Sequence, residues 1–249
     1  MKKFTVERKH KLINCYELDE VKKMFKSSID TQVEFTGINL HSRVLIVGGS
    51  GTGKTNFTLQ YLIEASKPKG GSPFEEVILV YKTDEKLYNY LKTKLGASLV
   101  MYKNLNDLPD PEKWEDQEVK DPKDRVERLI IFDDFVADKD QKTLQKLAKY
   151  CQFGRKKGLT QFFLTQSYYE TTPFMRLQMN YLIMLNLPNK RNLKSILTNL
   201  ATNIEYETLE DIVSQSTSES LSFCKIDLNA STNINKKFSV GFLDYFEGI

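Results

Sequence analysis

Cysteine is scarce in this chain, and the scarcity excludes two architectures. Of 249 residues only Cys15, Cys151 and Cys224 carry a thiol. They are odd in number, widely spaced and never in a CxxC pair, which argues against a disulfide frame and a thiolate zinc site and for reduced thiols in a cytosol-like compartment. Long apolar runs are missing as well. The opening stretch MKKFTVERKHKLINCYELDE is charged throughout and offers neither the core of a secretion signal nor a membrane span. The expectation is a soluble, unexported protein with no membrane partner. Neither sign of charge dominates: 36 Lys and Arg against 33 Asp and Glu leave +3 at neutral pH. Any surface for nucleic acid must therefore be local. No repeat of fixed period and no low-complexity tract is present.

What the chain does have is enough apolar content, 40%, to build one large α/β domain or two small ones. Short β-branched runs alternate with segments of helical period: RVLIVGG, EEVILVYK, ASLVMYK, RLIIFDD, TQFFLTQ and YLIMLNL. Such runs are apolar on both faces, as strands are when a mostly parallel sheet is covered by helices on either side. Helices are expected over Asn56 to Ala65, Glu85 to Leu95 and Gln141 to Phe153, and again after Pro188. The segment LSFCKIDLN to KKFSVGFL reads as a closing hairpin with ASTNIN as its loop. Residues 104 to 128 hold nine acidic and five basic side chains, three prolines and the only tryptophan, Trp114, and read as a solvated connection with one aromatic anchor. Residues 1–33 are expected to form an arm or helix outside the sheet, and 34–249 a single domain.

The most specific signal is GGSGTGKT, directly after Val44-Leu45-Ile46-Val47. Glycines let the backbone approach a polyphosphate so that successive N–H groups converge on its oxygens. The helix that follows adds its partly positive N-terminus. Gly48, Gly49, Ser50, Gly51, Thr52, Gly53, Lys54, Thr55 and Asn56 are thus the expected nucleotide contacts, with Lys54 reaching the β and γ phosphates and the Thr55 hydroxyl ligating Mg2+. ATP and Mg2+ are the expected cofactors.

A second signal is RLIIFDDF, an apolar strand ending in two carboxylates. Asp133 stands where an acid would hold Mg2+, and Asp134 where one would orient or deprotonate the attacking water, which favours hydrolysis. The arginine-rich lid expected of a P-loop kinase does not stand out. Gln166, at the end of TQFFLTQ, is placed to sense the γ phosphate or hold the water. Arg155, in YCQFGRKKGLT, either complements a helix C-terminus or acts as an arginine finger lent to a neighbouring subunit. Between Lys139 and Lys157 there are seven basic residues and one acid; Lys139, Lys142, Lys146 and Lys149 share one helical face, which could meet water, DNA phosphates or the acidic flank of another subunit. Lys67, Lys69, Lys190, Arg191 and Lys194 are further candidate backbone contacts.

VLIVGGSGTGKT, LIIFDDF and GRKKGLTQFFLTQSYYETTPFMRLQMNYLIML, in this order, resemble the FtsK/HerA superfamily of P-loop ATPases, and within it the genome-packaging ATPases of poxvirus-type viruses and of virophages. The resemblance runs from about His41 to Leu187. It implies a ATP-hydrolysing ring of five or six subunits that drives double-stranded DNA into a preformed capsid, reading backbone rather than sequence, with a capsid vertex or portal-like protein as partner and the host cytoplasm as its place of work. It also implies that Arg155 acts across the subunit interface, with Arg176 as a second candidate. The bacterial translocases of the superfamily add membrane spans and a winged helix; here only the motor domain is expected. The Asp at position 134, where many members have Glu, leaves the identity of the base open. A conjugation-type DNA-transfer ATPase and a nucleotide-binding assembly switch are the alternatives.

Overall fold

The computed structural model describes residue 19 and residues 32–68, 70–117, 120–121, 124–186, 190–200, 205–229 and 236–246. Apart from Asp19 and the two residues of the first strand, the arm expected over residues 1–33 lies outside these residues, as do Cys15, Lys69 and the hairpin loop at 230–235. The elements are β1 (Gln32–Val33), β2 (Ile38–Asn39), β3 (Arg43–Val47), α1 (Lys54–Ala65), β4 (Glu76–Val80), α2 (Lys86–Leu95), β5 (Leu99–Tyr102), β6 (Arg128–Asp133), α3 (Gln141–Phe153), β7 (Leu159–Thr165), α4 (Pro173–Gln178), β8 (Tyr181–Met184), α5 (Lys190–Asn199), α6 (Tyr206–Ser216), β9 (Cys224–Asp227), β10 (Phe238–Val240) and β11 (Asp244–Tyr245).

Nine strands form one sheet in the order β11-β10-β9-β8-β3-β7-β6-β4-β5. The six apolar runs of the sequence are its parallel half: β3 pairs in parallel with β7 and β8, β6 with β7 and β4, and β4 with β5. The closing hairpin forms as expected, β10 against β9 with Phe238 opposite Ile226, and joins the sheet antiparallel to β8. The helical stretch after Pro188 divides into α5 and α6. The small hairpin of β1 and β2 stands apart from the main sheet.

Alternating side chains of each central strand enter two cores. On one side Val44, Ile46, Phe162 and Leu164 pack with Phe57 and Tyr61 of α1 and with Tyr88 and Leu91 of α2. On the other Leu45, Val47, Phe132 and Phe163 pack with Leu147, Tyr150 and Cys151 of α3 and with Leu209 and Ile212 of α6. All seven residues of β7 are buried, the polar Thr160, Gln161 and Thr165 along with Leu159, Phe162, Phe163 and Leu164; each large apolar side chain so buried contributes roughly 1.5–3 kcal/mol. Cys151 and Cys224 are free thiols in this interior, pushed up to about 12 by burial. They behave as small apolar residues, not as nucleophiles.

The acidic connection between β5 and β6 lies along α3. Trp114 meets Tyr150 edge-on at 6.4 Å, and the Arg128 guanidinium sits 5.1 Å above the Trp114 ring. The expected single aromatic anchor is therefore present, sandwiched between helix and strand.

Candidate nucleotide site

Because β3, β7 and β6 are adjacent and parallel, their C-terminal ends form one edge. Val47 is in register with Thr165, and Leu164 with Asp133. Neighbouring strands lie roughly 4.8 Å apart, so the sequence signals at residues 48, 134 and 166 are brought side by side.

At this edge Gly48 N–H donates to Thr165 O at 3.2 Å, and the chain then turns through Gly51 and Gly53, at φ 73° and 107°. A side chain at Gly53 is excluded twice, by that φ and because a Cβ there would lie 2.8 Å from Leu221 Cδ2. Helix α1 begins at Lys54, two residues before its expected start at Asn56, and its first turn holds no acid. The unpaired N–H groups and dipole of the helix thus open onto the loop without an internal counter-charge. Lys54 Nζ donates to the carbonyls of Gly48 and Gly49 at 3.0 and 3.1 Å. The ammonium is held over the loop by neutral acceptors, and phosphate oxygens are stronger ones.

Asp133 ends β6 with 7% of its surface exposed. Burial pushes its carboxyl up to about 6, against the opposing hydrogen bond from the Tyr88 hydroxyl and with help from the negative charges of Asp134 and Glu85. A cation beside it would favour the ionised form. Asp134 is exposed and adopts φ 58°, a left-handed conformation that costs a non-glycine residue and gathers at functional sites. Its backbone N–H donates to Leu164 O at 3.2 Å, and its Oδ2 accepts from Gln166 Nε2 at 3.1 Å. Asp133, Asp134 and Gln166 are thus assembled beside the glycine loop.

Two residues of this site were not singled out in the sequence. Glu85, the residue before α2, accepts from the Thr55 hydroxyl at 2.8 Å, and Tyr88 one turn further holds Asp133. Both follow β4, whose end opens on the same crevice as β6 and β7. A polar cluster after a buried strand, TDEKLY, was the available signal.

The arginines lie elsewhere. Arg155 follows α3 in the turn Gly154–Lys157, at the N-terminal end of β7. The length of β7, about 20 Å of strand, separates it from the glycine loop of its own chain. It lines a polar cleft of about 250 Å³ with His41, Ser42, Arg43, Asn180 and Asn229. Arg176 in α4 donates to Ser195 Oγ at 3.4 Å and lies 5.1 Å from the Tyr168 ring centre.

The basic face of α3 is partly paired within the chain. Lys146 donates to Leu108 O at 2.5 Å and stands 3.8 Å from Asp110. Lys149 pairs with Glu112 at 3.2 Å and Lys157 with Asp116 at 2.7 Å. The acidic neighbour of this stripe is the protein's own connection between β5 and β6, so these three lysines are not a bare DNA surface; Lys139 and Lys142 remain exposed. Of the other candidates, Lys67 pairs with Glu64 at 2.5 Å, and Arg191 lies 4.1 Å above the Tyr169 ring.

A strand, glycine loop and helix in this order, with an acid pair two strands away at the same sheet edge, define a P-loop NTPase fold of the RecA/FtsK type. The chain belongs to the poxvirus A32 protein family, whose model matches residues 36–226 and so spans every residue of the site. The DNA-packaging ATPase B204 from Sulfolobus turreted icosahedral virus is similar in structure at 15% identity and a TM-score of 0.56, over 82% of this chain and 98% of that one. The genome packaging NTPase B204 from Sulfolobus turreted icosahedral virus 2, in complex with ATP-gammaS, matches at 18% identity and a TM-score of 0.53, over 81% and 97% of the two chains. The pCW3 conjugation coupling protein TcpA, with ATPgS, matches at 13% identity and a TM-score of 0.51, over 82% of this chain and 61% of that one. At these identities the likeness is one of fold. No curated protein sequence matches the chain. Among the described residues no helix is long and apolar enough to cross a membrane.

Proposed function

We propose that this protein hydrolyses ATP with Mg2+ and uses the energy to drive double-stranded DNA into a viral capsid. The observation that carries the reading is the meeting of Asp134 and Gln166 beside the glycine loop, in a chain of the poxvirus A32 family. The donor set fits a metal-bound triphosphate: backbone N–H groups of the glycine loop and of the first turn of α1, the Gly48 N–H apart because Thr165 O accepts it, with one ammonium, one hydroxyl and one buried carboxylate. Lys54 would hold the β and γ phosphates, and Thr55 and Asp133 the metal, Thr55 leaving Glu85 to do so. Bound Mg2+ neutralises charge on the phosphates and orients them. Asp134 would accept the proton of the attacking water, and Gln166, bonded to that carboxylate, would keep the water in line.

The place of Arg155 supports assembly into a ring. An arginine at the base of β7 does not reach its own P-loop, whereas a head-to-tail neighbour can present that base to the next subunit's γ phosphate. Five or six subunits around duplex DNA, seated on a capsid vertex or portal-like protein in the host cytoplasm, is the arrangement this implies, with residues 34–249 as the motor. The family match favours packaging over conjugative transfer, whose coupling protein shares the fold.

The test is ATP turnover by purified protein with and without duplex DNA. Stimulation by duplex that is lost in Lys54→Ala and Asp134→Asn supports a DNA motor. Nucleotide binding with no turnover and no response to DNA would leave an assembly switch instead.

A further inference from the structure

The acid pair fixes the direction in which a nucleotide must lie. β6, with Asp133 and Asp134 at its end, is two strands to one side of β3, while β8 and β9 are on the other. A terminal phosphate that faces the acids leaves the nucleoside end of the same molecule to run out over β8 and β9. On that side the loop entering β9 rises next to the glycine loop, because β9 is antiparallel to β8 and its first residue, Cys224, pairs with Met184 at the upper end. Leu221 stands in this loop, its Cδ2 2.8 Å from where a Cβ on Gly53 would be.

Packing within the fold does not explain Leu221. Ser222 N–H donates to Glu219 O at 3.2 Å, which makes Ser220 and Leu221 the central pair of a turn. Leu221 has φ 64°, at the position where such turns take Gly or Asn, and a bulky side chain is strained there. Burial does not offset the strain, since 56% of the residue is exposed. The loop is nonetheless held firmly against the phosphate site: Phe223 meets Phe57, in the first turn of α1, edge-on at 5.0 Å, and Phe242 at 5.0 Å.

We propose that Leu221 is the apolar platform for the base of the nucleotide whose phosphates occupy the glycine loop. Its ligand is the face of a planar heteroaromatic ring, and the contact serves adenine and guanine alike, because it touches neither base's distinguishing edge groups. The proposal rests on the nucleotide-hydrolysing reading of the site. It assigns the strained, exposed leucine a role in ligand binding that neither the fold nor the phosphate chemistry requires.

Leu221→Gly and Leu221→Asn both suit the positive φ, so they remove the platform without straining the turn. The measurement is calorimetric binding of ATP, GTP and inorganic tripolyphosphate to wild type and both variants, with thermal midpoints of the free proteins. The expected result is a roughly five- to tenfold weaker affinity for both nucleotides, tripolyphosphate binding within about twofold of wild type, and a midpoint for Leu221→Gly equal to or above that of wild type. Unchanged nucleotide affinity overturns the proposal. An equal loss for tripolyphosphate also overturns it, since Leu221 would then be shaping the phosphate loop. A wild type that binds none of the three ligands defeats the nucleotide reading itself, whereas a wild type that binds all three with variants that match it defeats the platform alone.

Discussion

Asp133→Asn should make the metal-free protein more stable while removing its activity. In the folded state burial holds the Asp133 carboxyl at about 6, against an ordinary value of 3.8. Below pH 3.8 the carboxyl is protonated in both states and costs nothing; as pH rises through about 6 the folded protein must carry a buried charge, and stability is lost. The difference of about two pK units corresponds to about 3 kcal/mol above pH 7. Asparagine keeps the shape and still accepts the Tyr88 hydrogen bond, but bears no charge. In a domain of this size the gain is roughly 6–12 °C in thermal midpoint at pH 8, shrinking to below about 1 kcal/mol at pH 4. The assay is thermal denaturation of both proteins at pH 4 and pH 8, without metal and then with Mg2+ and a non-hydrolysable ATP analogue. The analogue should stabilise wild type far more than the variant, because the cation favours the charged form. A variant no more stable than wild type at pH 8, or one whose gain is the same at both pH values, would refute the reasoning.

Three further outcomes follow from the geometry. Gly53→Ala meets both a φ of 107° and the Leu221 side chain, so it should lose about 1–3 kcal/mol in chemical denaturation and bind ATP at least tenfold more weakly by calorimetry. Lys146→Met removes the donor to Leu108 O and should cost about 1.5 kcal/mol of stability while leaving duplex affinity, measured by fluorescence anisotropy, unchanged; a large fall in DNA binding would return the α3 stripe to the DNA interface. Arg155→Ala subunits mixed into wild type should depress ATP turnover by more than their share, since each removes a finger from a neighbour's site, whereas a strictly proportional fall would place the arginine's effect within its own chain.

Much of this protein can be read from its residues, for definite physical reasons. The parallel half of the sheet was legible because β3, β4 and β6 are buried on both faces and so carry apolar runs of four residues, while β7 keeps Phe162, Phe163 and Leu164 together at its centre. The glycine loop was legible because its chemistry is local, each residue being required by backbone conformation or by one contact. What escaped depends on separation along the chain. Tyr88 reaches Asp133 across 45 residues, and Glu85 reaches Thr55 across 30; neither has a sequence neighbour that announces the partner. The lysines of α3 looked available because their acidic counterparts, Asp110 and Glu112, belong to a segment with no period of its own. β1 and β2, two residues each, are too short to show alternation. The strain at Leu221 leaves no mark in the sequence, because a leucine in a polar loop reads as any exposed apolar residue.

The most direct test of the account is a crystal structure with Mg2+ and a non-hydrolysable ATP analogue. The prediction is that Lys54 Nζ leaves the carbonyls of Gly48 and Gly49 for the β and γ phosphates, that Thr55 exchanges Glu85 for the metal, and that a water in line with the γ phosphate is bonded to Asp134 and Gln166. An analogue bound away from the glycine loop, or bound there with Asp133 and Asp134 remote from both metal and water, would contradict it.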